Sequence, residues 1–177
     1  MWRLWYCLRN KKGDTDMKKG ITRREREVTD LTHICEILDK AKIVHIGMVD
    51  GDEPYVVPMN YGYTMEDGKL AFYIHGAKWG RKLDVMRANP KVFCTLECDV
   101  VPFDGDIACR YGTTYASVMG LGKAEILEDV EEKKKGLSIL MKTQTGKDFT
   151  FDDKMVSIVS VIKIDIAEYT AKQRPME

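Results

Sequence analysis

Three cations closely follow a histidine in this chain, and their spacing suggests a site for an anion. The residues concerned, all within 72–82, are His75, Gly76, Lys78, Gly80, Arg81 and Lys82. An extended segment ends at His75, and a helix is predicted to begin at Gly80. A helix N-terminus is already positive because of its free N–H groups and its dipole, so clustered cations are unfavourable there without an anion. A bound phosphate would satisfy the N–H groups and pair with Arg81 and Lys82. A solvated basic turn without a ligand is the alternative.

The segment one hairpin earlier in the chain could read the edge of a planar ring. It contains Pro58, Met59, Asn60, Tyr61 and Tyr63. Backbone N–H and C=O groups of an extended strand can hydrogen-bond a heterocycle, and the Asn60 side chain adds an amide. Tyr61 and Tyr63 could stack on such a ring, or they could simply pack the sheet.

The elements that position these residues follow from hydrophobic periodicity and turn signals. Helices are predicted at residues 30–41, 80–88 and 128–145, and strands at residues 43–49, 55–63, 69–75, 91–101, 113–127 and 155–166. The first three strands are predicted to form an antiparallel meander, because their connections are too short for crossover helices. The pattern indicates an α+β domain, in which about six mostly antiparallel strands form a curled sheet or barrel with short flanking helices.

One face of the strand predicted at residues 113–127 carries only small side chains. Its members are Ala116, Val118, Gly120, Gly122 and Ala124. Such a face permits close approach by another element, by a partner subunit or by a flat ligand.

Composition excludes several classes of protein. The 177 residues include 28 Lys and Arg against 28 Asp and Glu, and this zero net charge argues against a protein built to neutralise nucleic-acid phosphates. No apolar run approaches the roughly 20 residues of a membrane helix. The five cysteines are odd in number and irregularly spaced, which disfavours a secreted disulfide framework, and Cys94 and Cys98 lack the usual zinc spacing, so no metal site is predicted. The N-terminus does not read as a secretory signal. We therefore expect a cytoplasmic protein.

The domain is predicted to span residues 21–172, followed by a tail at residues 173–177. Charges interrupt residues 1–20 constantly, so this segment is predicted to be a disordered leader or an extension from an upstream start site. A peripheral membrane arm or partner-docking arm is the alternative.

Taken in order, these motifs resemble the pyridoxamine 5′-phosphate oxidase-like split-barrel flavoproteins. In that superfamily a Phe-Tyr strand leads to Arg-Lys at a helix start, and an Asn-Pro turn precedes the next strand. This chain has Phe72-Tyr73, then Arg81-Lys82, then Asn89-Pro90. His75 and the strand at residues 115–124 are closer to the nitroimidazole-resistance branch. The similarity covers about residues 22–172.

The resemblance implies a homodimer of six-stranded split β-barrels with FMN at the subunit interface. Arg81 and Lys82 would hold the phosphate beside Lys78 and Gly80, and His75 would lie near the flavin. The residues implied to line the isoalloxazine ring are Pro58, Met59, Asn60 and Tyr61, with Tyr115 or Ser117 reaching it from another strand. The C-terminal segment has no counterpart of the Trp and Arg substrate residues of the true oxidases, so pyridoxamine phosphate is not the expected substrate.

The resemblance implies an FMN-dependent, nitroreductase-like oxidoreductase, and the cations around His75 agree with it. It would pass electrons from a nicotinamide donor to a small flat acceptor, with His75 as the catalytic proton donor or orienting group. The chain has no G-x-G-x-x-G fingerprint, so NADH or NADPH would bind only transiently. A non-catalytic flavin- or haem-binding carrier, sensor or storage protein is the alternative, with His75 or His45 as a haem ligand. A third possibility is an interaction protein that uses only its dimer surface.

Overall fold

The structure, a computed structural model, describes residues 21–175, and within that range eight strands form one antiparallel sheet. The strands are β1 (Glu27–Val28), β2 (Ile43–Asp50), β3 (Glu53–Asn60), β4 (Gly62–Glu66), β5 (Lys69–Gly76), β6 (Lys91–Phe103), β7 (Gly112–Leu127) and β8 (Ser160–Arg174). The α+β class and the antiparallel pairing are confirmed, but the described chain has eight strands where six were predicted. The expectations for residues 1–20 lie outside the described residues.

Helices flank this sheet. They are α1 (Leu31–Lys40), α2 (Arg81–Ala88), α3 (Val130–Thr145) and α4 (Asp153–Ser157). The first three confirm the predicted helices closely. Helix α1 begins at its predicted cap, because the Asp30 carboxylate accepts a hydrogen bond from the N–H of His33 at 2.8 Å. Its buried face, Ile34, Ile37 and Leu38, belongs to the main core.

The prediction of a strand at residues 155–166 is wrong at its start. The Asp152 carboxylate accepts a hydrogen bond from the N–H of Met155 at 2.7 Å and so caps α4, and β8 begins only at Ser160. Val156, which fitted the apolar alternation of a strand, is buried from the helix instead. The alternating pattern continues in β8, which extends to Arg174.

The predicted meander is also wrong, because its middle strand, predicted at residues 55–63, is divided into β3 and β4. The strands are ordered β3-β2-β6-β7-β8-β5-β4, with β1 paired to β8. The local hairpins β2–β3 and β4–β5 form, but β3 and β4 stand at opposite ends of this order. The sheet is therefore left unclosed between two strands that are neighbours in sequence.

Tyr61 is the single residue between β3 and β4. Its side chain is fully buried, and its ring meets Phe72 edge-on with centroids 5.1 Å apart. The hydroxyl oxygen lies 2.6 Å from the carbonyl oxygen of Leu38 and 3.0 Å from that of Ala41. Burial raises the pKa of this hydroxyl, so it stays protonated and donates. Tyr61 thus fastens the chain between the two edge strands to the end of α1.

The small face of β7 is filled by this chain itself. A Cβ added at Gly120 would lie 2.7 Å from Cγ2 of Ile166, and one added at Gly122 would lie 2.9 Å from Cγ2 of Ile164. The register of the β7–β8 pair shifts between Leu121 and Gly122, where the two backbones are this close. Of the alternatives for this face, approach by another element is the one the structure shows.

Gly62 allows α3 to lie directly against the start of β4. A Cβ added at Gly62 would come within 2.5 Å of the backbone nitrogen of Leu140 and 2.6 Å of the carbonyl carbon of Ile139. Because both are backbone atoms of α3, relief would require the whole helix to move. The contact sets the position of α3 over β4 and β5.

We therefore expect Gly62→Ala to destabilise the fold. Overpacking of this kind costs about 1–3 kcal/mol, which for a chain of this size lowers Tm by roughly 2–12 °C in thermal unfolding. Gly47→Ala is the matched control, since its Cβ would lie 3.4 Å from the nearest atom, the carbonyl oxygen of Phe93. Equal Tm values for the two variants would contradict the close packing of α3 on β4.

Candidate functional site

The corner where β5 ends and α2 begins is the centre of the candidate site. The connection, residues 77–80, is largely exposed, and its Trp79 is 82% exposed. Lys78 also lies on this exposed loop. Gly80 precedes the helix with a φ of 134°, a conformation that favours glycine, and no side chain caps the helix there. The first N–H groups of α2 therefore have no side-chain acceptor at the cap position.

Lys82 lies across the end of β5. A Cβ added at Gly76 would lie 2.5 Å from the Nζ atom of Lys82, so the ammonium group occupies space that any other residue at Gly76 would fill. Its Nζ atom is 3.7 Å from the sulfur of Met59 on β3. Among residues 21–175 no carboxylate forms an ion pair with Lys82. The lysine is thus a half-buried cation without an anionic partner in the described chain.

Arg81, its neighbour, is already neutralised. Its Nε atom lies 2.7 Å from the Asp50 carboxylate, its second contact is with Glu53 at 3.4 Å, and its guanidinium stands 4.5 Å over the ring of Tyr55. The hydrogen bond to Asp50 raises the pKa of Arg81 above its ordinary value. The two predicted phosphate ligands therefore both approach β3, but they contact it at different places.

His75 points to the opposite face of β5 from Gly76, as strand alternation requires. There it borders a cavity of about 200 Å³ beside α3. Desolvation, and then the positive charge of Lys82, lower the pKa of His75 below its ordinary value of about 6.5. At pH 7 the imidazole is therefore neutral, with one nitrogen able to donate and the other able to accept.

The residues predicted to line a ring lie along β3 and at its end. Pro58 is exposed and Met59 is half-buried. The Asn60 amide donates to the carbonyl of Lys42 at 3.2 Å and to the side chain of Gln144 at 3.4 Å. Tyr61 cannot stack on a ligand, because its side chain is buried in the core. Tyr63 likewise uses its hydroxyl within the protein, donating to Asp39 at 2.9 Å.

Gln144 on α3 contacts the segment predicted to line a ring, and the sequence analysis did not single it out. Its amide donates to the carbonyl of Tyr61 at 2.7 Å and to that of Lys42 at 3.2 Å. It therefore ties the end of α3 to the junction between β3 and β4. Nothing in the local sequence of α3 marks Gln144, because its partners lie about 80–100 residues earlier in the chain.

Tyr115 and Ser117 are not brought near His75 within one chain. Val161 pairs with both His75 and Leu127, whereas Tyr115 pairs with Arg174 at the far end of the same β7–β8 ladder. At about 3.3 Å per residue, roughly 40 Å of strand, measured along β7, separates Tyr115 from the end of the strand that lies beside His75. Both residues are half-buried and lie on the face of β7 opposite its small residues.

That outer face of the sheet carries an exposed apolar patch. Phe93 on β6 pairs directly with Leu121 on β7, and Met119 lies on the same face two residues away. Their side chains are 44%, 42% and 40% exposed. Alongside them runs a groove of about 490 Å³, to which Tyr169 of β8 contributes. An apolar patch of this kind is typical of a protein–protein contact.

Two kinds of feature are lacking in residues 21–175. None of the helices there is long and apolar enough to cross a membrane. The same residues contain no cluster of three or more His, Cys, Asp or Glu side chains placed to hold a metal ion. Their four cysteines, Cys35, Cys94, Cys98 and Cys109, are free thiols.

Comparison with solved structures finds several chains of similar fold. A candidate 5-nitroimidazole antibiotic resistance protein from Bacteroides thetaiotaomicron is 32% identical, covers 83% of this chain and 86% of its own, and has a TM-score of 0.71. A flavocytochrome from Azotobacter vinelandii is 21% identical over 92% of this chain and 75% of its own, with a TM-score of 0.72. An FAD-binding protein from Mesorhizobium loti is 20% identical over 85% and 97% of the two chains, with a TM-score of 0.60. The last two show the fold alone.

Sequence comparison gives the family. No curated protein matches the chain. The family model described as pyridoxamine 5′-phosphate oxidase matches residues 30–173, which is most of the chain and runs from α1 to the penultimate residue of β8. This chain belongs to the pyridoxamine 5′-phosphate oxidase family.

Proposed function

We propose that this chain binds FMN at the corner between β5 and α2 and acts as an oxidoreductase. The observation that carries the proposal is Lys82, a half-buried cation that lies over Gly76 beside uncapped N–H groups of a helix. Family membership supports it, as do the names of structural relatives, which include a flavocytochrome and an FAD-binding protein.

The described residues fit a phosphate group at this corner. A lysine ammonium and the first N–H groups of α2 are the donors that a phosphate dianion requires. Gly76 leaves the space that Lys82 occupies, and Gly80 opens the helix start without a side chain in the way. Arg81 could reach the same phosphate only by leaving Asp50 and Glu53, so we assign Lys82 the larger share of binding.

The flavin ring would lie along β3. This strand ends the sheet order, so alternate N–H and C=O groups face away from β2 and are free to read the edge of a heterocycle. Met59, which contacts Lys82, places this edge next to the phosphate corner. Pro58 and Met59 remain candidates for ring contacts, whereas Asn60 is engaged with Lys42 and Gln144.

A second copy of the chain would complete the site. Tyr115 and Ser117 are too far from His75 to meet the same ligand within one chain, but an antiparallel partner could bring its own copies across the interface. The apolar patch of Phe93, Met119 and Leu121 lies on the face that would meet the partner. We therefore include a homodimer, with the flavin at its interface, in the proposal.

His75 is the group that we assign to proton handling. When bound, the flavin would supply the electron transfer from a nicotinamide donor to a small flat acceptor. The neutral imidazole can donate a hydrogen bond to an acceptor, or orient it, without adding a fixed charge. Lys82 and the helix N-terminus would favour negative charge near the ring. The free thiols of the described residues fit the reducing cytoplasm that we also propose.

A non-catalytic flavin- or haem-binding module is the second candidate. One of the structural relatives is a flavocytochrome, and His75 and His45 both carry imidazoles. The two cofactors differ in absorption, because haem gives a sharp Soret band and flavin gives broad bands in the blue. Oxidation of NADH or NADPH that depends on an acceptor would then favour the enzyme over the carrier.

Titration of FMN into variants of the full chain tests the phosphate assignment. We expect Lys82→Ala to weaken FMN binding about 10- to 150-fold, because a hydrogen bond to a charged group contributes about 1.5–3 kcal/mol. Arg81→Ala should weaken binding less, since its guanidinium is already paired with Asp50. The matched variant Asp50→Asn removes the closer of the two carboxylates that hold Arg81 and should bind FMN as tightly as the wild type or more tightly.

The same titration can contradict the assignment. Unchanged affinity in Lys82→Ala would refute it. A larger loss in Arg81→Ala than in Lys82→Ala would show that the arginine leaves its carboxylates and becomes the main ligand. Thermal unfolding of each variant shows whether a lost affinity reflects a lost fold.

The pKa of His75 tests the placement of Lys82. Replacing Lys82 by Met removes a positive charge that disfavours the imidazolium, so we expect the pKa of His75 to rise towards its ordinary value in an NMR titration. Arg81→Met is the control, because Arg81 is not among the groups that lower this pKa. A His75 pKa that does not rise in Lys82→Met would contradict the proximity of the two side chains.

A further inference from the structure

A second, apolar compartment lies on the α3 side of His75. It is the cavity of about 200 Å³ at the end of β5. Apart from His75, it is lined by Leu137, Leu140, Met141, Phe151, Met155 and Val159. Lys82 stands on the other face of β5, over Gly76, so the phosphate corner and this cavity are separated by the strand itself.

The lining selects for an uncharged ligand. Among residues 21–175, His75 contributes the only polar side chain of the lining, and none of these residues brings a carboxylate, ammonium or guanidinium group to the cavity. An ion transferred here would lose its hydration without gaining a counter-charge. An aromatic ring in the cavity would make favourable contacts with the sulfur atoms of Met141 and Met155 and with the ring of Phe151.

The size of the cavity limits the ligand to about one ring. Drug-sized ligands and cofactors occupy clefts of roughly 300–1,000 Å³, whereas an apolar cavity of about 150 Å³ accommodates benzene. A space of about 200 Å³ therefore holds one ring with a small substituent. It does not hold the whole of a flavin or a haem.

Access to the cavity is provided by the short segment around α4. Met155 is 52% exposed although it borders the cavity, so its flexible side chain lies at the mouth. Val159, between α4 and β8, is half-buried. A ring could enter past Met155 without any movement of the sheet.

We propose that this cavity binds a single uncharged aromatic or heteroaromatic ring, with the hydrogen-bonding edge of the ring at the imidazole of His75. Its role as the acceptor subsite rests on the proposed function, whereas binding of the ring does not. The imidazole then stands between two compartments, one for the anionic group and one for the apolar ring.

Methyl NMR of the full chain with ¹³C-labelled methionine tests this, with phenol as the probe. We expect phenol to shift the methyl signals of Met141 and Met155 saturably, in the absence of flavin. Met48 and Met86, which are buried in the main core and do not border this cavity, are the internal controls and should not shift. Benzoate, which has the same ring but a negative charge, should bind at least tenfold more weakly.

Variants separate the cavity from its surroundings. Met141→Trp fills the cavity and should weaken phenol binding at least tenfold. Ile158→Trp is the matched control, because Ile158 is 69% exposed and does not border the cavity. His75→Phe keeps a flat ring but removes the hydrogen bond, and should weaken phenol binding roughly three- to tenfold. Thermal unfolding confirms that each variant is folded.

Several results would overturn the inference. They are the absence of a saturable shift at Met141 and Met155, equal affinity for benzoate and phenol, and unchanged phenol binding in Met141→Trp. Competition by FMN, with shifts of the same methyl signals, would assign the cavity to the flavin instead. Phenol binding by a chain that does not bind FMN would support this inference and refute the proposed function. FMN binding by a chain that does not bind phenol would refute this inference and leave the binding of FMN in the proposed function supported.

Discussion

The arrangement of the site depends on Tyr61, the one residue that joins the two ends of the sheet. β3 and β4 stand at opposite ends of the strand order, yet only Tyr61 separates them in sequence. Its buried hydroxyl donates to the end of α1, and Gln144 of α3 donates to its carbonyl. A buried hydroxyl or carbonyl without a partner costs about 1–3 kcal/mol, so these bonds hold the crossing in one geometry. Met59, two residues earlier, is thereby held next to Lys82.

Charge is distributed unequally around the corner that this crossing positions. Arg81 and Lys82 are adjacent in sequence, but Arg81 is paired with Asp50 and Glu53, whereas Lys82 is half-buried and has no carboxylate partner within residues 21–175. Exposed ion pairs contribute little to stability, so the Arg81 pairs could rearrange around a bound phosphate. The field of Lys82 reaches His75 on the other face of β5 and helps to keep its imidazole neutral. Under the proposed function, this one lysine would bind the anionic group, and its charge adds to the desolvation that keeps the imidazole at the apolar cavity neutral.

Local sequence signals predicted the elements well and their long-range pairing poorly. The Asp30 cap, the Asn89-Pro90 stop and the glycines of the β5–α2 corner act within a few residues, so the helices and the two hairpins could be predicted. The separation of β3 from β4 depends on Tyr61 reaching α1, which periodicity does not encode. Val156 fits the apolar alternation of a strand as well as the buried face of a short helix. The segment is helical in the structure, where the Asp152 carboxylate caps it. The clustering of cations near His75 could be predicted because these residues are close together in sequence. The cavity built by α3 and the α4 segment could not, because its lining residues are far from His75 in sequence.

The absorption spectrum of the freshly purified full chain, followed by mass spectrometry of the released ligand, shows whether the chain binds FMN. We expect flavin bands in the blue and a released ligand with the mass of FMN. A chain that is colourless and stays so after incubation with excess FMN would contradict it. A Soret band without flavin bands, or a ligand with the mass of FAD, would contradict the choice of cofactor.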